Sequence, residues 1–86
     1  MDINEIIFYP LMTESASMMV EKENKLLFVV NLKAGKSDIK KAVEELYEVK
    51  VSKVNLLVTP QGLKKAFVKL SPEFKASDVA IKLGIL

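Results

Sequence analysis

The chain has 86 residues, half of them apolar and only three of them Pro, which reads as one folded domain over residues 1–86 and excludes a disordered tail. It holds no Cys and no His, which excludes disulfides, thiolate metal sites and thiol chemistry, and removes the commonest general base and the commonest metal ligand. All 13 basic residues are Lys, set against 11 acidic ones, and a net charge of +2 points to nucleic acid only where the two signs are segregated in space.

Residues 3 to 9, INEIIFY, predict a short strand ended by Pro10. Thr13 is placed to cap a short helix in which Ala16, Met19 and Val20 recur at helical spacing. LLFVV, 26 to 30, is a β-branched and aromatic run suited to a strand covered on both faces. It is far shorter than the ~20 residues that span a bilayer, and the acidic start MDINEII does not read as a secretory signal. A soluble, cytoplasmic protein without membrane insertion is expected.

AGKSDIKKAVEELYEV is the clearest helix, with Ser37 as its N-cap and Ile39, Ala42, Val43, Leu46 and Tyr47 on one face. VSKVNLLVT, 51 to 59, predicts a strand, PQGL a turn and KKAFVKL the returning strand. A last helix starts at a Ser77 cap and stops at Gly84. This order predicts an α+β fold, a small α/β sandwich. Its four-stranded sheet is mostly antiparallel, built on a split β-α-β unit with helices on both faces. KKAFVKL fills the gap between two parallel strands.

Catalytic groups are few. The serines have no His to activate them, and GKS at 35 to 37 lacks the upstream Gly of a phosphate loop, because position 30 is Val. Glu44 and Glu45 read as a solvated helix face, and Met12, Met18 and Met19 as core filler. The lysines are more informative. Lys36, Lys40 and Lys41 crowd the N-terminal end of the long helix, against its dipole, where they could hold an external anion.

In the hairpin, setting Val58 opposite Ala66 places Thr59 by Lys65, Leu57 by Phe67 and Asn55 by Lys69. One face is then aliphatic, and the other carries Lys53, Lys65 and Lys69 around a Leu–Phe pair, with Lys64 beside the turn. That pattern suits phosphate contacts with packing on sugars and bases. Lysines cannot be buried unpaired, so Phe67 between them is expected to be partly covered. Side-chain parity requires an odd loop, most simply of three residues, with Gly62 at positive φ.

KKAFVKLS followed after seven residues by Val79, YPLMTE at 9 to 14, and KSDIKKAVEELYEVKVSKVN at 36 to 55 together resemble the large-subunit ribosomal protein twenty-three family. The resemblance spans nearly the whole chain in the right order. It implies a non-enzymatic protein without cofactor, bound to large-subunit rRNA at the rim of the polypeptide exit tunnel. Its implied partners are neighbouring large-subunit ribosomal proteins and the signal recognition particle. The short PQGL loop resembles the archaeal branch, which lacks the long basic extension of bacterial members, and Ser15 stands where the motif usually has Lys. Glu14 matches the family's acidic docking position. The expected RNA contacts are Tyr9, Pro10 and Thr13 near the N-terminus, Lys33, Lys36, Lys40 and Lys41 around the long helix, and Lys53, Asn55, Lys64, Lys65, Phe67 and Lys69 in the hairpin. The alternative is a small ferredoxin-like regulatory or protein-interaction domain.

Overall fold

A computed structural model describes residues 2–11 and 13–84. The elements run α1 (Ile3–Ile6), β1 (Ile7–Pro10), α2 (Glu14–Glu23), β2 (Lys25–Val30), α3 (Lys36–Tyr47), β3 (Val51–Val58), β4 (Lys64–Leu70) and α4 (Ala76–Leu83). The sheet order is β1-β2-β4-β3, and every neighbouring pair is antiparallel. β4 therefore lies between β2 and β3, and α3 carries the crossover of the split β-α-β unit expected from the sequence.

The N-terminal strand is shorter than its sequence predicts. Residues 3 to 6 wind into one helical turn, which buries Ile6 and packs Ile3 against the core beside α3. Burial of Ile6 and partial cover of Ile3 beside a neighbouring helix outweigh their β propensity. Pro10 ends β1 at the sheet edge, where a missing N–H is tolerated.

Thr13 caps α2 as expected, its hydroxyl accepting from the Ala16 N–H at 3.1 Å. The other two caps differ from expectation. α3 starts two residues earlier than a Ser37 cap allows, with Gly35 as its N-cap, whose N–H donates to the Asp38 carboxylate at 3.0 Å. α4 is entered from Lys75, not Ser77, and its Ala76 N–H donates to the Asn24 side-chain oxygen at 2.7 Å. At α3 a carboxylate of the helix's own first turn engages the Gly35 N–H, and at α4 an amide oxygen from a distant turn engages the Ala76 N–H, in place of the Ser37 and Ser77 hydroxyls. Gly84 stops α4 at φ 78°, as predicted.

The main core joins one face of the sheet to the helices. Leu26, Phe28 and Val30 of β2, Ala66, Val68 and Leu70 of β4, and Val54 of β3 pack with Ile39, Ala42 and Val43 of α3 and Val79 and Ala80 of α4. Phe28 stacks on Tyr47 at 5.9 Å between ring centroids. Burial raises the Tyr47 phenol above its ordinary pKa. Leu46, read as part of the buried stripe, is 45% exposed. Met18 is likewise exposed rather than core filler, Met19 is half-buried, and Met12 lies outside the described residues.

Leu27 and Val29, on the opposite face, are also buried, as is Ala16 of α2, which packs on β2. All five residues of LLFVV are thus covered, on alternating sides.

Candidate nucleic-acid interface

The hairpin turn sets the face that carries the lysines. The Gly62 N–H donates to the Thr59 carbonyl at 2.9 Å, the Thr59 N–H to the Leu63 carbonyl at 2.8 Å, and the Leu63 N–H to the Thr59 hydroxyl at 3.2 Å. Pro60, Gln61 and Gly62 form the three-residue loop, with Gly62 at φ 82°. An odd loop with positive-φ Gly62 is what the parity required.

The register differs from the expected one by two residues. Val54 faces Val68, Asn55 faces Phe67, Leu57 faces Lys65 and Lys53 faces Lys69. Closing the turn on Thr59-Pro60 suits Pro's fixed φ and puts Gly62 where positive φ is required. Turn chemistry thus overrides the aliphatic match of Val58 with Ala66. A shift of two leaves each side chain on its expected face, so the face assignment survives.

Extending the rows through β2 gives three lines across the sheet. Lys25, Lys69 and Lys53 form one, Leu27, Phe67 and Asn55 the next, and Val29, Lys65 and Leu57 the third. Tyr9 pairs with Val29 and lengthens the third line onto β1. The face is dry under β2 and opens toward β3. Val29 is 1% exposed, Phe67, Lys65 and Asn55 are half-buried, and Lys53, Lys69 and Leu57 are exposed. Phe67 therefore has the partial cover expected of a ring flanked by lysines.

The other candidates are distributed elsewhere. Lys64 lies on the opposite parity, and its ammonium donates to the Leu32 and Ala34 carbonyls at 3.2 and 2.7 Å. It ties the hairpin to the segment entering α3. Lys36, Lys40 and Lys41 are exposed, but α3 covers the other face of the sheet, so the fold does not unite them with Lys53, Lys65 and Lys69. Lys41 also shares a cleft with Asp38 and Glu45, which offsets its charge. Lys33 is exposed in the loop before α3, Thr13 is occupied as a cap, Pro10 is half-buried, and Glu14 is exposed in the first turn of α2.

Three residues escaped the sequence reading. Lys25 completes the lysine row, which only the β2–β4 register reveals. Asn24, at φ 55°, donates to the Leu70 and Phe74 carbonyls at 3.3 and 2.9 Å and accepts from Ala76, clasping α2, β4 and α4. Its place in a helix-to-strand turn was the only available signal. Glu44 is not simply solvated: its carboxylate accepts from the Val51 N–H at 3.0 Å and pins the start of β3.

Another surface lies at the hairpin end, where Phe8, Leu32 and Leu63 are 55%, 56% and 43% exposed around a shallow groove of about 270 Å³. Among the described residues, no helix is long and apolar enough to cross a membrane.

The model of the family described as "Ribosomal protein L23" matches residues 5–82, nearly the whole length. The chain belongs to this family, and it is accordingly an rRNA-binding structural protein of the large ribosomal subunit, not an enzyme. This assignment removes the ferredoxin-like regulatory domain from contention.

Proposed function

We propose that this ribosomal protein L23 family member grips large-subunit rRNA through the open part of its second sheet face, at the rim of the polypeptide exit tunnel, on ribosomes in the cytoplasm. One observation carries the assignment to that face. The β3 side of the sheet presents Lys53, Lys65 and Lys69 around the half-buried Phe67 ring, while the opposite face is sealed by α3. Lysines neutralise phosphates, and Phe67, Asn55 and Tyr9 offer a platform for sugars and bases.

The exposed Phe8, Leu32 and Leu63 groove suits a neighbouring large-subunit protein, because scattered apolar residues need no cover but a continuous patch does. Glu14, exposed at the start of α2, is offered to the signal recognition particle. The three-residue hairpin loop keeps the protein outside the tunnel interior.

The test compares two charge sets in rRNA-fragment binding. Lys65→Glu with Lys69→Glu should abolish binding without unfolding the chain. Replacing Lys36, Lys40 and Lys41 with Gln should reduce affinity less, and the Lys36 change, in the first turn of α3, should raise stability by about 0.3–1 kcal/mol because its charge opposes the helix dipole. Loss of binding only in the α3 set would move the interface to the helix.

A further inference from the structure

We infer that Lys25, Lys69 and Lys53 act together as a phosphate ladder, holding one RNA strand that runs across β2, β4 and β3. This rests on the sheet-face reading above and adds to it a new residue and a strand direction.

The register makes the three lysines direct cross-strand neighbours, one from each strand. Neighbouring strands lie about 4.8 Å apart, so the backbone positions of the three lysines follow one another across the sheet at about that spacing. Like charges opposite one another destabilise a sheet. Lys69 has a lysine on both sides, Lys25 of β2 and Lys53 of β3. Relief from acidic side chains is slight. The one salt bridge among the described residues joins Lys25 to Glu23 at 3.3 Å, and it leaves Lys69 and Lys53 without an ionic partner.

The adjoining row explains why the ligand is a nucleic acid strand rather than a loose anion. Leu27, Phe67 and Asn55 run parallel to the lysines, one step along the sheet. A strand whose phosphates sit on the lysine row lays its sugars and bases over Phe67 and within reach of the Asn55 amide. An RNA strand running along β4 would meet Lys69, Phe67 and Lys65 in turn and leave Lys25 and Lys53 unused. Glu23 is a competitor in this scheme, since it holds Lys25 in the free protein and must give it up to phosphate.

The experiment uses the full chain and a transcript of the large-subunit rRNA, with melting and salt-dependent affinity measured on the same variants. Lys25→Gln, Lys53→Gln and Lys69→Gln should each lower the slope of log affinity against log salt by about 0.7–0.9. Lys69→Gln should melt no lower than the parent, because it removes the lysine flanked on both sides. Glu23→Gln should tighten binding, and Lys53→Arg should retain it.

Unchanged slopes for Lys25→Gln and Lys53→Gln, with binding still abolished by Lys65→Glu and Lys69→Glu, would overturn the ladder and leave the sheet-face reading standing. Normal binding in all these variants would overturn both. Competition by polyglutamate as effective as by RNA of equal charge would also overturn the ladder, making the row a dock for an acidic protein.

Discussion

The two faces of the sheet are built from the same three long strands and have opposite fates. On one, Phe28, Val68 and Leu70 are sealed under α3 and α4, and Phe28 stacks on Tyr47. On the other, one residue along, Leu27 and Val29 are dry beside α2, but Phe67, Asn55 and Lys53 grade into solvent. Alternation assigns side chains to a face, and the layer packed above decides whether that face becomes core or surface. An aromatic ring therefore means different things at positions 28 and 67.

The sharpest way to break this comparison is to truncate the buried ring. Phe28→Ala should cost about 3–5 kcal/mol, a large share of the about 5–15 kcal/mol by which domains of this kind are stable. Chemical denaturation measures it. A loss of under 1 kcal/mol would show that the two faces are not energetically distinct.

Asn24 joins the faces where α2, β4 and α4 meet. Asn24→Ala removes three side-chain hydrogen bonds, and each polar group left unpaired by the change costs about 1–3 kcal/mol where water cannot replace its partner. The residue also occupies the left-handed region, where Ala is strained. Asn24→Gly should recover the backbone part and none of the hydrogen bonding, so it should melt between Ala and wild type.

Phe67→Ala sharpens the comparison from the open side. Partial burial predicts a stability loss near 2 kcal/mol. A ring that also meets RNA predicts a further ~1–3 kcal/mol off binding, persisting in high salt because stacking is not electrostatic. Measuring melting and rRNA affinity on one protein separates the two. A core-sized stability loss with normal affinity would make Phe67 a second Phe28.

The smallest effect is a pH dependence on the sealed face. Burial favours the neutral Tyr47 phenol and raises its pKa above 10.0. The folded state then holds the proton more tightly than the unfolded one, so this stabilisation is complete below the unfolded pKa. It is lost as pH rises from there through the folded value. Tyr47→Phe should flatten the alkaline fall in stability relative to wild type. Matching curves for the two proteins would show that the phenol is not desolvated against Phe28.

The amino-acid sequence by itself determined the strand alternation, the three longer helices, the central place of β4, the odd hairpin loop with Gly62, and the lysine-bearing face of β3 and β4. These follow from period, turn residues and parity, which are local. It left undecided whatever depends on partners distant in the chain. Ile3–Ile6 became a helical turn because α3 offers burial there, and Ser77 lost its cap to Asn24. The split of the lysines followed the same logic. Lys64 turned inward to two carbonyls, the α3 lysines went to the far side of the sheet, and Lys25 joined Lys69 and Lys53 only through a strand pairing that spans more than forty residues. Hydrogen bonds and charge rows form between whatever groups tertiary packing brings together, and residue order along the chain does not encode which of several competing donors and acceptors arrives first.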